Sequence, residues 1–396
     1  MALTFEFQEV AHLVNIKVIG VGGAGCNAIN NMIENAMQGV EFIAANTDAQ
    51  VLKLARASNV VQLGADLTRG FGAGCNPDIG RQAAEEDRDH IADLISGADL
   101  LFITAGMGGG TGTGAAPVIA QVAREQGILT VGVVTKPGAD EGSRQKVAQV
   151  GIDELAKYVD SLIVVSNQKL EEVLGEDVTI DEAFRAADDI LRSAVGSIVE
   201  IINYPGLINV DFADVKTVMR EMGMAMMGSA VAVGADRAVV ATEEAIRCPL
   251  LDNISFKGAR GVLVNFSASR ATLKKSEIRQ SLEIINAHVS EDAQVKHGVV
   301  YDESLGDQIR ITLIATGLGA KETSKPQLSV VQGQAQQART GTDNIGFNAE
   351  DYEKPAIWRT RRGGAQGGGE ATQSAARPAL NNIDMDIPAF LRRQAD

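Results

Sequence analysis

With 396 residues, 45% of them hydrophobic, the chain is long enough for two packed domains and a tail. A net charge of −15 argues against general nucleic-acid binding, and no apolar run approaches the roughly 18 residues that a membrane span needs. Three scattered cysteines (Cys26, Cys75, Cys248) make neither a disulfide frame nor a zinc pattern, and the first residues lack the regions of a signal peptide, so a cytoplasmic protein without direct membrane insertion is expected.

Residues 1–14 read as a loose arm. Strand and helix then alternate. Strands are predicted at 16–21, 40–45, 100–104, 128–135 and 161–166, and helices at 25–34, 81–95, 115–125 and 145–157. Continuous apolar strands between amphipathic helices predict an α/β domain over 15–180, with a parallel sheet covered on both faces. Ligands of such sheets sit at the carboxyl ends of the strands. The loops at those ends are rich in glycine: 20–27 reads Gly-Val-Gly-Gly-Ala-Gly-Cys-Asn, 70–77 reads Gly-Phe-Gly-Ala-Gly-Cys-Asn-Pro, and 108–114 reads Gly-Gly-Gly-Thr-Gly-Thr-Gly. Several glycine loops at one sheet edge suit a ligand with several phosphates, because backbone N–H groups can approach an anion closely. Thr111 and Thr113 add hydroxyl donors.

Residues 181–203 read as one long helix, with an apolar stripe of Phe184, Ala187, Leu191, Ala194, Ile198 and Ile201 widened by Ile190, Val195, Val199 and Ile202. It is expected to be buried on more than one side and to separate two domains. The second, 204–318, reads as a smaller α+β unit: helices at 215–222, 237–246 and 276–288, and strands at 225–233, 261–268, 294–300 and 308–316. Met219, Met222, Met224, Met226 and Met227 cluster there, as adaptable core or as a mobile surface between domains. Residues 319–382 are dominated by Gln, Gly, Ser, Thr and Ala and read as a disordered tether, spanning on the order of 45 Å. Apolar residues return at 383–396, where Ile387, Pro388, Phe390, Leu391 and Arg392 suggest a docking peptide. Residues 351–359 partly echo it and hold the only tryptophan.

Gly20, Gly22 and Gly25 match the dinucleotide fingerprint, which alone is weak. It leaves open a nicotinamide-dependent oxidoreductase, with Asp48 as ribose contact. Residues 209–214, Asn-Val-Asp-Phe-Ala-Asp, precede a helix. Asp211 and Asp214 either cap it or form a pair that orients a water.

Together these segments resemble the tubulin/FtsZ family of GTPases. The run at 108–114 matches the family signature in full, 209–214 its synergy loop and 384–394 its terminal docking peptide. The resemblance implies a GTPase that polymerises head to tail into the filaments of a mid-cell division ring. It implies GTP or GDP, with Mg2+ carried on the phosphates and no metal held by the protein alone. By resemblance, Gly22, Gly23, Ala24, Gly25, Cys26 and Asn27 contact phosphate and ribose, and Gly109, Gly110, Thr111, Gly112 and Thr113 contact phosphate. Ala73, Gly74 and Asn76 lie towards the γ-phosphate, Glu141 and Arg144 near the ribose, and Asp188 accepts from guanine. Asn209, Asp211 and Asp214 act in trans on the next subunit's nucleotide. Implied partners are further copies of the chain, membrane-tethering adaptors such as FtsA or ZipA, and ring-positioning inhibitors. Departures from the family pattern are Ala24 for a glycine, Cys75 for an alanine and a shortened loop before Arg144. A non-hydrolysing filament protein remains the third class.

Overall fold

The computed structural model describes residues 14–175, 178–203, 207–208, 210–220, 223–248, 258–290 and 292–318. Residues 1–13 of the expected arm, the tether, the docking peptide, Asn209 and Met222 lie outside the described residues.

In chain order the elements are β1 (Ile16–Val21), α1 (Gly22–Glu34), β2 (Glu41–Asn46), α2 (Ala49–Lys53), β3 (Asn59–Gln62), α3 (Ala65–Thr68), α4 (Pro77–Glu86), α5 (Arg88–Ile95), β4 (Leu100–Gly106), α6 (Thr111–Glu125), β5 (Leu129–Lys136), α7 (Ser143–Leu155), β6 (Ser161–Ser166) and α8 (Asn167–Leu174). There follow α9 (Ile180–Asn203), α10 (Phe212–Met219), β7 (Gly223–Ala232), α11 (Arg237–Ile246), β8 (Gly261–Ala268), α12 (Lys275–His288), β9 (Gln294–Tyr301) and β10 (Ile309–Leu318).

One sheet of ten strands runs in the order β3-β2-β1-β4-β5-β6-β7-β10-β8-β9. Its first six strands are parallel. The order reverses between β1 and β4, so the loops leaving these two neighbours diverge and open a crevice. Period-two alternation splits the side chains of β1: Ile19 and Val21 join a core with α4, α5, α6 and α7, while Ile16 and Val18 join another with α1, α9 and α10. The second core also takes in Leu263 and Ile314, so α9 is packed on both strand groups at once. Beyond β6, three residue pairs join β7 to the parallel part. There β10 lies antiparallel between β7 and β8, and β9 forms the edge, over a third core with α11 and α12.

Some expectations change. The helix foreseen at 81–95 is two helices, broken at Asp87, whose backbone leaves the helical region (φ −100°, ψ 20°) and whose carboxylate accepts the Gly64 N–H at 2.6 Å. Helix α6 begins at Thr111, not 115, so half of the glycine run is its first turn. Helix α10 begins at Phe212 rather than 215. Phe184 does not join the buried stripe of α9: it is 60% exposed.

Candidate functional site

The crevice at the β1/β4 switch is a cleft of about 440 Å³. Two helix N-termini face it: the first turn of α1 (Gly22, Gly23, Ala24) and that of α6 (Thr111, Gly112). Neither first turn carries an acidic residue, so the positive ends of both dipoles are left for an anion.

The glycines have distinct tasks. A Cβ on Gly20 would come within 2.3 Å of the Gly25 carbonyl, and one on Gly25 within 2.5 Å of the Thr104 carbonyl; these two seat α1 on the sheet. Gly22 has φ +76° and packs against Gly112, joining the two loops. Gly23 and Gly109 have no atom within 4 Å of an added Cβ, so they are the open floor of the cleft. The Ala24 methyl fills the space left by Gly106, where a Cβ would lie 2.6 Å from it. The alanine in this loop therefore carries no left-handed strain; it is housed by a glycine on the neighbouring strand.

Other sequence-singled residues support the cleft without lining it. Thr113 accepts the Gly108 N–H at 2.9 Å, which closes the loop on itself. Thr111, which does line the cleft, shares a 2.6 Å hydrogen bond with the buried hydroxyl of Thr47. Ala73 and Asn76 abut Gly110, and the Asn76 side chain caps α4 by accepting the Asp78 N–H at 3.0 Å. Gly74 and Cys75 have φ +57° and +58°, the turn that brings this loop to Gly110. Cys26 is fully buried beside Ala44 and Leu52, and burial pushes its thiol up to about 12; its side chain faces away from the cleft. Asp48 caps α2, accepting the Gln50 N–H at 2.8 Å, and is not among the cleft residues, which removes the ribose contact of the oxidoreductase reading.

At the other end of the cleft stand Asn27, Glu141, Arg144, Asn167, Phe184 and Asp188. Arg144, in the first turn of α7, donates to Glu141 at 2.6 Å across the bend at Gly142. Burial, with Asp189 alongside, pushes the Asp188 carboxyl up to about 7. Phe184 lies four residues before it on the same helix face. Asn167 Oδ1 is buried without a hydrogen-bond partner among the described residues. Phe184 and Asn167 were not foreseen: the first was assigned to the core stripe, and the second stands just after the carboxyl end of β6, where ligand contacts gather.

The two acids are elsewhere. Asp211 is the N-cap of α10 and accepts the Asp214 N–H at 2.6 Å, so the capping role is realised. Asp214 pairs with Lys296 of β9 at 2.7 Å. Among the described residues, none beyond Leu191 lines the cleft. Nucleotide-type cradle and acidic pair are thus separate within one chain.

Residues 15–175 match the GTPase domain of the Tubulin/FtsZ family, and 223–319 match the C-terminal domain of the FtsZ family. The cell division protein FtsZ of Pseudomonas aeruginosa is 52% identical, over 99% of this chain and 100% of its own. That of Neisseria meningitidis is 51% identical over 96% and 95%. Among solved structures, an FtsZ dimer of M. jannaschii superposes with a TM-score of 0.73 at 41% identity, covering 77% of this chain and 88% of that one.

Proposed function

The chain belongs to the FtsZ family of tubulin-like GTPases, a cell-division family, and from that premise we propose that its GTP is hydrolysed between stacked copies. What supports this reading is the separation of the acidic pair from the cleft. A cradle that lacks the acidic pair in one copy, and an acidic pair without a cradle in the next, make one reaction centre when copies associate head to tail.

The phosphates lie over Gly23, Gly109 and Gly110, against the first turns of α1 and α6. The open floor at Gly23 and Gly109 fits them, because that space is free of side chains. Mg2+ carried on the phosphates supplies charge neutralisation. At the base end, Asp188 accepts from guanine N1 and N2; adenine offers no such donor pair at that edge. The unpartnered Asn167 Oδ1 adds an acceptor for the base, and Phe184 offers its face to it. Glu141 and Arg144 border the sugar. Asp211 and Asp214 of the next copy orient a water. Its oxygen bonds to the γ-phosphorus as the bond to the GDP oxygen breaks, and a proton leaves through the carboxylate to solvent.

At the other end of the chain, 383–396 docks adaptors that tether the filament to the membrane at the division site. A short peptide binds weakly alone, and a filament presenting many copies binds through avidity. Titrating peptides 383–396 and 351–359 against an adaptor domain tests both segments; an inert upstream peptide removes the second site.

Phosphate release from GTP, followed across protein concentration, tests the central reading. Specific activity is expected to rise steeply above an assembly threshold. A concentration-independent rate would overturn it.

A further inference from the structure

The loop carrying the two acids hangs from the edge strand β9. The Leu207 N–H donates to the Val299 carbonyl at 3.0 Å, and the Val299 N–H donates to the Ile208 carbonyl at 3.1 Å. Val210 lies against Gly298, 3.3 Å from the position of an added Cβ. Two residues before Gly298, and so on the same face of the strand, Lys296 reaches Asp214 Oδ1 at 2.7 Å. One strand therefore holds the loop by its backbone on one side and by a side-chain charge on the other. Asp211 is held in turn through its own Oδ1 by the Asp214 N–H.

We propose that Lys296 is a positioning residue for hydrolysis: it fixes the Asp214 carboxylate and offsets part of the acidic pair's charge as the pair meets the polyanionic nucleotide of the next copy. This rests on the reading that the pair acts in trans. Both side chains of the ion pair are more than a third exposed, at 38% and 37%. A pair so exposed adds little to fold stability. Its consequence lies in orientation and in local charge. Two carboxylates brought to a triphosphate repel it, and the ammonium held beside one of them from β9 lessens that repulsion. Lysine suits the task as a compact charge on a flexible stem, able to keep its contact while the loop adjusts to a neighbour.

The test uses the full chain with Lys296→Met, Lys296→Arg and Asp214→Ala, measuring polymer mass and phosphate release on the same samples. Lys296→Met is expected to bind GTP as the parent does and to melt at the same temperature, while turnover per assembled subunit falls at least tenfold. Lys296→Arg is expected to recover most of that loss, which a merely structural contact would not require. If the Met variant melts lower, Lys296→Gln takes its place. Parental turnover per assembled subunit without the lysine overturns the proposal, as does equal loss in the Met and Arg variants. Full turnover by Asp214→Ala would instead overturn the action in trans, an outcome that the Lys296 variants do not mimic.

Discussion

Gly109 and Gly114 stand in the same run and fail for opposite reasons. Gly109 opens on empty cleft and lacks a left-handed φ, so Gly109→Ala is expected to fold normally and to weaken GTP binding at least tenfold, read by nucleotide titration. At Gly114 a Cβ would stand 2.0 Å from the Pro77 carbonyl, in a backbone-to-backbone contact that cannot yield cheaply. Gly114→Ala is expected to lose about 1–3 kcal/mol or more of stability, seen as a lower melting temperature. Both are letters in one motif, and only the packing separates them. Asp188 brings a pH dependence. Its carboxyl is raised to about 7 in the free protein, and accepting from guanine, the role proposed for it, needs the charged form. Proton loss must accompany binding below that value, so affinity should fall by up to about tenfold per pH unit on the acid side and level off above it. Fluorescent-nucleotide titrations across that range check it, and Asp188→Asn should flatten the profile. The glycines and the two acids were legible in the sequence as residue types in a pattern, whereas Asp188 was reached only through the family resemblance. The roles of Cys26 and Thr113 were not, since direction of pointing decides them: one thiol turns into the core, one hydroxyl folds back on its own loop.

Among the elements, long apolar runs were read with little error: β1, β6, β8 and α11 have the expected bounds. What escaped is short or polar. The strand β3 has four residues and half-buried ends, too few for a period to show, and it is defined by pairing with β2. The break between α4 and α5 depends on an Asp87 bond to a residue 23 positions away. Phe184 kept the helical spacing of a core residue, but it is exposed and lines the cleft together with Ala187, Asp188 and Leu191 of the same helix. Helix α12 has a comparable non-local anchor. Its Glu277 accepts from Arg237 Nε at 2.8 Å and Nη2 at 3.1 Å, with both side chains buried, and from the Lys274 N–H at 2.8 Å. The guanidinium also donates to the carbonyls of Thr272 and Asp307. Removing the acid leaves a buried cation, so Glu277→Ala is expected to cost about 3–5 kcal/mol in chemical denaturation. The nucleotide cleft, on another part of the sheet, should bind as before.

For the whole molecule, the alternation of strands and helices already implied a parallel sheet with its ligand at the strand ends; the strand order that opens the cleft between β1 and β4 was not implied, nor was the continuity of ten strands in one sheet, because three residue pairs at β6 and β7 decide it. The division of labour between chains can be tested by mixing. An Asp214→Ala chain keeps its cradle and a Gly109→Ala chain keeps its acids, so phosphate release by the mixture is expected to exceed the sum of the separate activities. A strictly additive rate would place both halves in one chain.

If hydrolysis takes place between copies as proposed, a row of copies never holds as many working centres as nucleotides. The copy at one extremity always presents a nucleotide that no neighbour can reach, and the copy at the opposite extremity holds out acids over nothing. Short rows are thus poor catalysts for their mass, and each row carries a last unspent triphosphate at a single, chemically distinct tip.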